Sequence, residues 1–258
     1  MTVKIEGFEP MDGRPRPRLV LAVDGLQKRG KTRFALTAPR PIAYINLDRG
    51  FEASKDMDLT DVVIADLSGA MQKVQPGKGK LGEDVLKPFK EEAEKALELI
   101  VKRWNAALNA GVRTVVFDTA TRWWEILRIA RFGKIQQVSK EHYGPVKAEF
   151  ERFLYGALGA SSNVILNHRQ RAEYQGENKT GRFERAGYGD VQYITHASVE
   201  LTRVPFVERA DGDLGFRAII TDCATNPEAD GEVLSNADIN FQLVALVCRP
   251  DSTPDMWE

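Results

Sequence analysis

Cysteine and histidine are scarce in this sequence, with two and three in 258 residues, and long apolar runs are missing. Each shortage removes a class of protein. Cys223 and Cys248 stand apart, with no C-x-x-C pair and no histidine at metal-ligand spacing, so they read as buried, reduced thiols. No stretch approaches the roughly 20 apolar residues that a membrane span needs, so no membrane partner is expected. The opening MTVKIEGFEPMDGRPRPR lacks the apolar core and small-residue cleavage site of a secretory signal, and a reducing cytoplasm is the expected home. Charge of one sign is lacking too. The 36 Lys and Arg against 37 Asp and Glu leave a net −1, so any pull toward nucleic acid must come from local clusters.

What is present suits a globular chain: 43% hydrophobic and 28% charged residues, enough for one large α/β domain or two small ones. The strongest single feature is residues 19–32, where an apolar strand (Leu19 to Val23) runs into Gly25-Leu26-Gln27-Lys28-Arg29-Gly30-Lys31-Thr32. This fits G-x-x-x-x-G-K-[ST]. Two glycines let a loop wrap an anion with its backbone N–H groups pointing inward, and the helix that follows offers its positive end. Lys31 can reach the β- and γ-phosphates of a nucleoside triphosphate, and the Thr32 hydroxyl can ligate Mg²⁺. Gly25, Lys28, Arg29, Gly30, Lys31, Thr32 and the adjoining Arg33 are the expected nucleotide contacts. Such a match arises by chance in roughly one chain in a hundred of this length, and the upstream strand lowers that further.

Along the chain, residues 1–18 form an arm marked by Arg14-Pro15-Arg16-Pro17-Arg18, either a phosphate contact or a solvated lead-in. A short helix over 33–38 ends at Pro39 and Pro41, and a strand over 42–47 delivers Asp48-Arg49-Gly50; residues 62–65 suggest a third strand. The Gly-, Lys- and Pro-rich stretch 69–88 reads as a mobile loop. Helical spacing follows from Phe89 to Leu108, closed by Gly111, and then a strand from Val112 to Phe117 ends in Asp118. Helices are expected over 121–131 and 146–158, with a loop over 132–145 between them, and a strand over 163–167 precedes His168. Residues 169–190 are polar and glycine-rich, longer than an ordinary connection. Stretches 198–204, 216–221 and 241–247 read as three consecutive strands without intervening helices. Strands alternating with helices predict a mostly parallel sheet flanked by helices, here with an antiparallel C-terminal extension. The expected division is an arm over 1–18, an ATPase domain over 19–248 and an acidic tail over 249–258.

Within that frame, Asp118 is the expected second magnesium group, with helix capping as its alternative. Asp48 is the expected acid that positions water; Glu52 or plain turn chemistry are the alternatives. This order of parts resembles the RecA-like recombinase ATPases, and more closely the compact phage-encoded RecA-like ATPases that assist single-strand annealing proteins. APRPIAYINLDRG and VVFDTATRWWEILR carry the closer likeness, which spans roughly residues 18–248. The resemblance implies a RecA-like P-loop NTPase fold, ATP and Mg²⁺ as cofactors, and ATP hydrolysis coupled to single-stranded DNA. It also implies a homo-oligomer, a phage annealing or single-strand-binding protein as partner, and the host-cell cytoplasm as location.

Carried over by position, Lys31 and Thr32 contact phosphate and magnesium, Asp118 is the second magnesium acid, and Asp48 stands at the water-activating position. His168 stands where the family keeps a side chain that senses the γ-phosphate. Two segments match the DNA-contacting loops. One is 132–145 with Arg131, Lys134 and Lys140. The other is 169–190 with Arg169, Arg171, Lys179, Arg182 and Arg185 among Tyr174, Phe183 and Tyr188. Cations on such segments suit phosphates and interleaved aromatics offer stacking platforms, although Glu173, Glu177, Glu184 and Asp190 nearly cancel the second loop's charge.

The sequence departs from the family in places. The acid at 48 is one methylene shorter than the family's glutamate, and 219–225 lacks the paired lysines that reach a neighbouring subunit, leaving Arg209 or Arg217 as substitutes. Residues 208–238 hold eight acids against two basic residues, and the tail with Trp257 reads as a frayed terminus or a docking peptide. Two other functions stay open: a phosphotransferase on a small metabolite with 69–88 as its lid, and a nucleotide-gated interaction module with little turnover.

Overall fold

A computed structural model describes residues 17–78, 82–135, 138–208 and 213–258, so most of the arm, with Arg14 and Arg16, and also Arg209 lie outside the described residues. The strands are β1 (Val20–Asp24), β2 (Ile42–Asn46), β3 (Val62–Asp66), β4 (Thr114–Asp118), β5 (Asn163–Asn167), β6 (Gln170–Gln175), β7 (Asn178–Arg185), β8 (Ala197–Arg203), β9 (Phe216–Cys223) and β10 (Val233–Ser235). The helices are α1 (Lys31–Ala35), α2 (Ser68–Lys73), α3 (Glu83–Leu108), α4 (Ala120–Phe132), α5 (Gly144–Gly159) and α6 (Phe241–Cys248). Eight strands form one sheet in the order β10-β9-β8-β1-β5-β4-β2-β3, and β6 pairs with β7 as a separate hairpin.

From β8 to β3 every pairing is parallel, whereas β9 and β10 add on in antiparallel fashion. All five residues of β1, β2, β4 and β5 are buried, as strands covered on both faces must be. Alternate residues divide the core in two. Val20, Ala22, Ala43, Ile45, Val115, Phe117, Val164 and Leu166 face α3, α4 and α5. Leu19, Leu21, Val23, Ile42, Tyr44, Val116 and Ile165 face α1 and α6. The first layer is rich in rings: Trp104, Phe117, Trp123 and Phe153 pack with centroids 3.6–6.5 Å apart. Because α1 crosses one face while the next long helices cross the other, a crevice opens at the C-terminal ends of the central strands. The phosphate loop, Asp48, Asp118 and His168 all lie at those ends.

The mostly parallel α/β sheet with an antiparallel C-terminal extension is the expected architecture, but four local readings are corrected. Residues 241–248 form α6, not a strand; a short stretch with seven apolar residues of eight has no period that separates a buried strand from a buried helix. The Asn240 side chain caps it by accepting from the Leu243 N–H at 2.9 Å, and Thr37 Oγ1 accepts from Phe241 N–H at 2.8 Å. The third C-terminal strand is instead β10. The expected loop over 69–88 holds most of α2 and the first turns of α3, and Pro88 stands inside that helix as its sixth residue. Residues 170–185 form a hairpin rather than a loop. The tail is not frayed: Trp257 is buried against Phe241, ring centroids 6.1 Å apart, and its indole N–H donates to Ser252 Oγ at 2.8 Å.

Two stability predictions follow from these contacts. Trp257→Ala should cost about 3 kcal/mol in urea unfolding, as expected of an emptied aromatic site; a tail that contributes nothing would leave the midpoint unmoved. His196 Nδ1 accepts from the Val20 N–H at 3.1 Å, and burial, followed by the Arg18 and Arg249 charges, pushes its pKa down to about 4. Between that value and the ordinary histidine range the unfolded chain binds the extra proton. Stability should therefore be full above pH ~6.5 and fall toward pH 4, by on the order of 2 kcal/mol from this group. His196→Gln, which keeps an acceptor, should flatten that part of the urea midpoint against pH.

Candidate nucleotide site

The loop between β1 and α1 is shaped by two requirements. Gly25 packs so closely on β8 that a Cβ there would lie 2.5 Å from the Leu201 carbonyl oxygen, so only glycine fits. Lys28 and Gly30 both take left-handed backbone, at φ 62° and 92°, which turns successive N–H groups into one concavity. Lys31 Nζ donates to the Gly25 carbonyl at 2.7 Å and to the Leu26 carbonyl at 2.9 Å, closing the loop on itself. Desolvation lowers its pKa, opposed by the nearby Asp118, Asp48 and Asp24. Lys28 is exposed and Arg29 half-buried, whereas Arg33 points away and holds Asp56 at 2.8 Å.

Asp118 ends β4, two strands from β1 with β5 between them, and is 2% exposed. Thr32 Oγ1 donates to Asp118 Oδ2 at 3.1 Å, and the Tyr44 hydroxyl donates to the same oxygen. Burial and then the Asp48 carboxylate push the Asp118 pKa up. The two hydroxyls, with a weaker pull from the poorly aligned Asn167 amide, hold it down. Next to them, Asp48 Oδ1 accepts from Gly50 N–H at 2.9 Å and Oδ2 from Arg169 at 3.1 Å. Gly50 closes over this group: a Cβ there would stand 3.0 Å from Asp48 Oδ1, 3.4 Å from Thr32 Oγ1 and 3.8 Å from Asp118 Oδ2.

These residues fit a magnesium ion. Neighbouring ligands of an octahedral Mg²⁺ lie about 3.0 Å apart, since each bond is about 2.1 Å, and the Thr32–Asp118 oxygen pair is separated by 3.1 Å. A buried carboxylate also calls for a cation. Among the described residues no three His, Cys, Asp or Glu gather into a self-sufficient metal site. That suits an ion whose remaining ligands are phosphate and water.

The segment after β5 is tied to this centre by Gln170 and by Arg185, the second of which the resemblance assigned to DNA. Arg185 donates through Nε at 3.0 Å and a terminal nitrogen at 2.7 Å to Asp24 Oδ2, both side chains nearly buried. Gln170 Nε2 donates to Asp24 Oδ1 and to Glu200 Oε1, each at 2.8 Å. Gln170 and Arg185 face each other at the root of the hairpin, so the root is clamped onto the residue just before the phosphate loop. Arg185 is thus a buried clamp and not a free cation. His168 is fully buried; its ring nitrogens find no partner, and desolvation, with Arg185 and Lys31 nearby, keeps its pKa well below the ordinary value.

Beyond its root the hairpin is exposed. Register places Ala172 opposite Phe183 and, past a shift of register, Tyr174 opposite Lys179, and Tyr174, Phe183 and Lys179 are all exposed. Arg171 pairs with Glu184 at 2.7 Å and Thr180 with Glu173 at 2.6 Å. The segment 132–145 makes a tight cap at Gly133 against Leu86 and one helical turn at Lys140–Tyr143. Arg131 is exposed, Lys134 lies near Glu83, and Arg128 is held by Tyr143 at 2.6 Å. Arg217 is taken by Asp213. Beside Asp48 a cavity of about 390 Å³ opens, lined in part by Arg49, Gln72, Arg122 and Arg169.

Tyr44, Gly50, Asp24 and Gln170 had no signal strong enough to single them out. Asp24 abuts the motif, but its partners lie far along the chain. Removing one partner from a buried ion pair leaves an uncompensated charge. Arg185→Ala should cost about 3 kcal/mol of stability by urea titration. A variant of wild-type stability would contradict the clamp.

With this geometry in place, the comparisons give the family. The profile described as the AAA domain matches residues 18–202, and the chain belongs to that family of P-loop ATPase domains. No curated protein matches the sequence. Among solved structures, the crystal structure of the RadB recombinase aligns over 86% of this chain and 87% of its own, with 14% identity and a TM-score of 0.44.

Proposed function

We propose that this chain is an ATP-hydrolysing recombination protein of the phage type. It binds single-stranded DNA, works as a homo-oligomer and assists an annealing or single-strand-binding protein. The observation that carries the reading is the hairpin whose root grips Asp24, one residue before the phosphate loop, while its far end exposes Tyr174 opposite Lys179, with Phe183 exposed between them and the root. Aromatic faces beside a cation suit stacked bases and backbone phosphate, at roughly 1–3 kcal/mol per stacked base.

In this reading the loop amides and Lys31 hold the β- and γ-phosphates, Lys31 turning from the Gly25 and Leu26 carbonyls toward them. Thr32 and Asp118 would hold Mg²⁺, with the Tyr44 hydroxyl fixing the Asp118 carboxyl. When bound, that ion neutralises charge developing on the phosphate oxygens. Asp48 orients the attacking water and takes its proton as the water oxygen bonds to the γ-phosphorus and the bridging oxygen leaves with ADP. His168 is fully buried, and the link to the hairpin runs through Gln170 and Arg185 instead. One observation also favours the low-turnover module: both Asp48 oxygens are already engaged.

The test is phosphate release from ATP with and without a single-stranded oligonucleotide, across a salt titration. Turnover should rise with the oligonucleotide and the stimulation should fade with salt. Turnover indifferent to DNA would remove the DNA half of the proposal. Lys31→Ala and Asp118→Ala should each lower turnover about 100-fold or more in a folded chain, and a variant with undiminished turnover would refute the site.

A further inference from the structure

The cavity beside Asp48 has a charge imbalance that ATP binding at the phosphate loop does not use. Three of its lining side chains are arginines, and their guanidinium groups are unequally committed. Arg122 is spent inside the fold, donating to Glu125 at 2.9 Å and to the Met71 and Val74 carbonyls at 2.8 Å each. Arg49 donates to the neutral amide oxygen of Gln72 at 2.7 Å, so its charge is not cancelled there. Arg169 donates to Asp48 at 3.1 Å with its side chain 44% exposed.

An ion pair this open to water is weak and readily exchanged for another anion. The backbone of Arg169 is nonetheless pinned. Its N–H donates to Thr121 Oγ1 at 2.9 Å, and its carbonyl accepts from Ala186 N–H at 2.8 Å. The side chain can therefore swing while the hairpin root stays in place. While Arg169 donates to Oδ2 and the Gly50 N–H donates to Oδ1, both Asp48 oxygens are occupied.

We propose that this cavity is a phosphate-oxyanion subsite, filled by a backbone phosphate of a nucleic-acid strand, and that Arg169 is shared between it and Asp48. With the subsite empty, Arg169 occupies Asp48 and hydrolysis idles. A phosphate seated against Arg49 draws the Arg169 guanidinium to itself and leaves Asp48 free for water. Arg49 and Arg169 suit this ligand because guanidinium forks match phosphate oxygens. The inference rests on the reading of Asp48 as the water-orienting acid; Arg169 is a positioning residue that acts through it.

The experiment measures ADP formation by the full chain in wild type and Arg169→Gln. Each is run alone, with a single-stranded oligonucleotide, with the same oligonucleotide bearing neutral methylphosphonate linkages, and with inorganic phosphate. Arg169→Gln should raise the DNA-free rate about fivefold or more and leave under about twofold further stimulation, since the restraint on Asp48 is gone. The neutral oligonucleotide should not stimulate the wild type. Stimulation by inorganic phosphate alone would assign the same subsite to the free anion instead of the strand.

A second readout needs no turnover. Anisotropy of a labelled oligonucleotide on the nucleotide-free chain should show Arg49→Glu binding about tenfold more weakly, from reversing one phosphate-contacting charge. A DNA-free rate in Arg169→Gln at or below wild type with stimulation intact would overturn the proposal, as would unchanged anisotropy in Arg49→Glu. Should the wild type form no ADP under any condition, the ATPase reading fails by itself, and the anisotropy arm still judges the subsite.

Discussion

A carboxylate cannot be buried without partners, and much of this molecule's functional half is arranged around that constraint at Asp24. The residue ends the central strand and is 6% exposed, so its charge must be met inside the protein. Arg185 and Gln170 meet it, and they come from the two strands of a hairpin that, among the described residues, shares no ladder pairing with the sheet. The position of the hairpin and the end of the phosphate-loop strand are therefore one structural fact. Moving either element exposes a charge, which is how the state of one can reach the other.

Asp118 obeys the same constraint by a different route. Its hydrogen bonds come from two hydroxyls, those of Thr32 and Tyr44, which converge on one oxygen. Hydroxyls restrain a carboxylate without neutralising it, so the negative charge remains available to a cation. Asp24 is closed by a fixed guanidinium and Asp118 is left open. Asp48 lies between, engaged by an exposed arginine that can leave. Three acids at one edge of one sheet thus differ in what stands opposite each.

The legible parts of the sequence were those in which one local pattern settles one structure. Five-residue strands buried on both faces stood out as continuous apolar runs, and the glycines of the phosphate loop stood out because their spacing serves backbone geometry. Long-range pairings left no local trace. Arg185 looks like a loop cation until Asp24 appears beside it, and Tyr44 looks like any buried strand tyrosine. The hairpin escaped because neither of its faces joins the core, so alternation had no apolar side to announce it. Residues 241–248 were misread for the opposite reason: seven of the eight residues are apolar, and a capping Asn240 is a fainter mark than an apolar run.

If the clamp at Asp24 links nucleotide and hairpin, each ligand must change the affinity of the other by the same factor. The direct measurement is the dissociation constant of a labelled single-stranded oligonucleotide, taken for the nucleotide-free chain and again with Mg²⁺ and a non-hydrolysable ATP analogue. The account predicts that the two values differ by about fivefold or more, the lower end of ordinary coupling between sites. Equal constants, with the analogue shown to be bound, would contradict it.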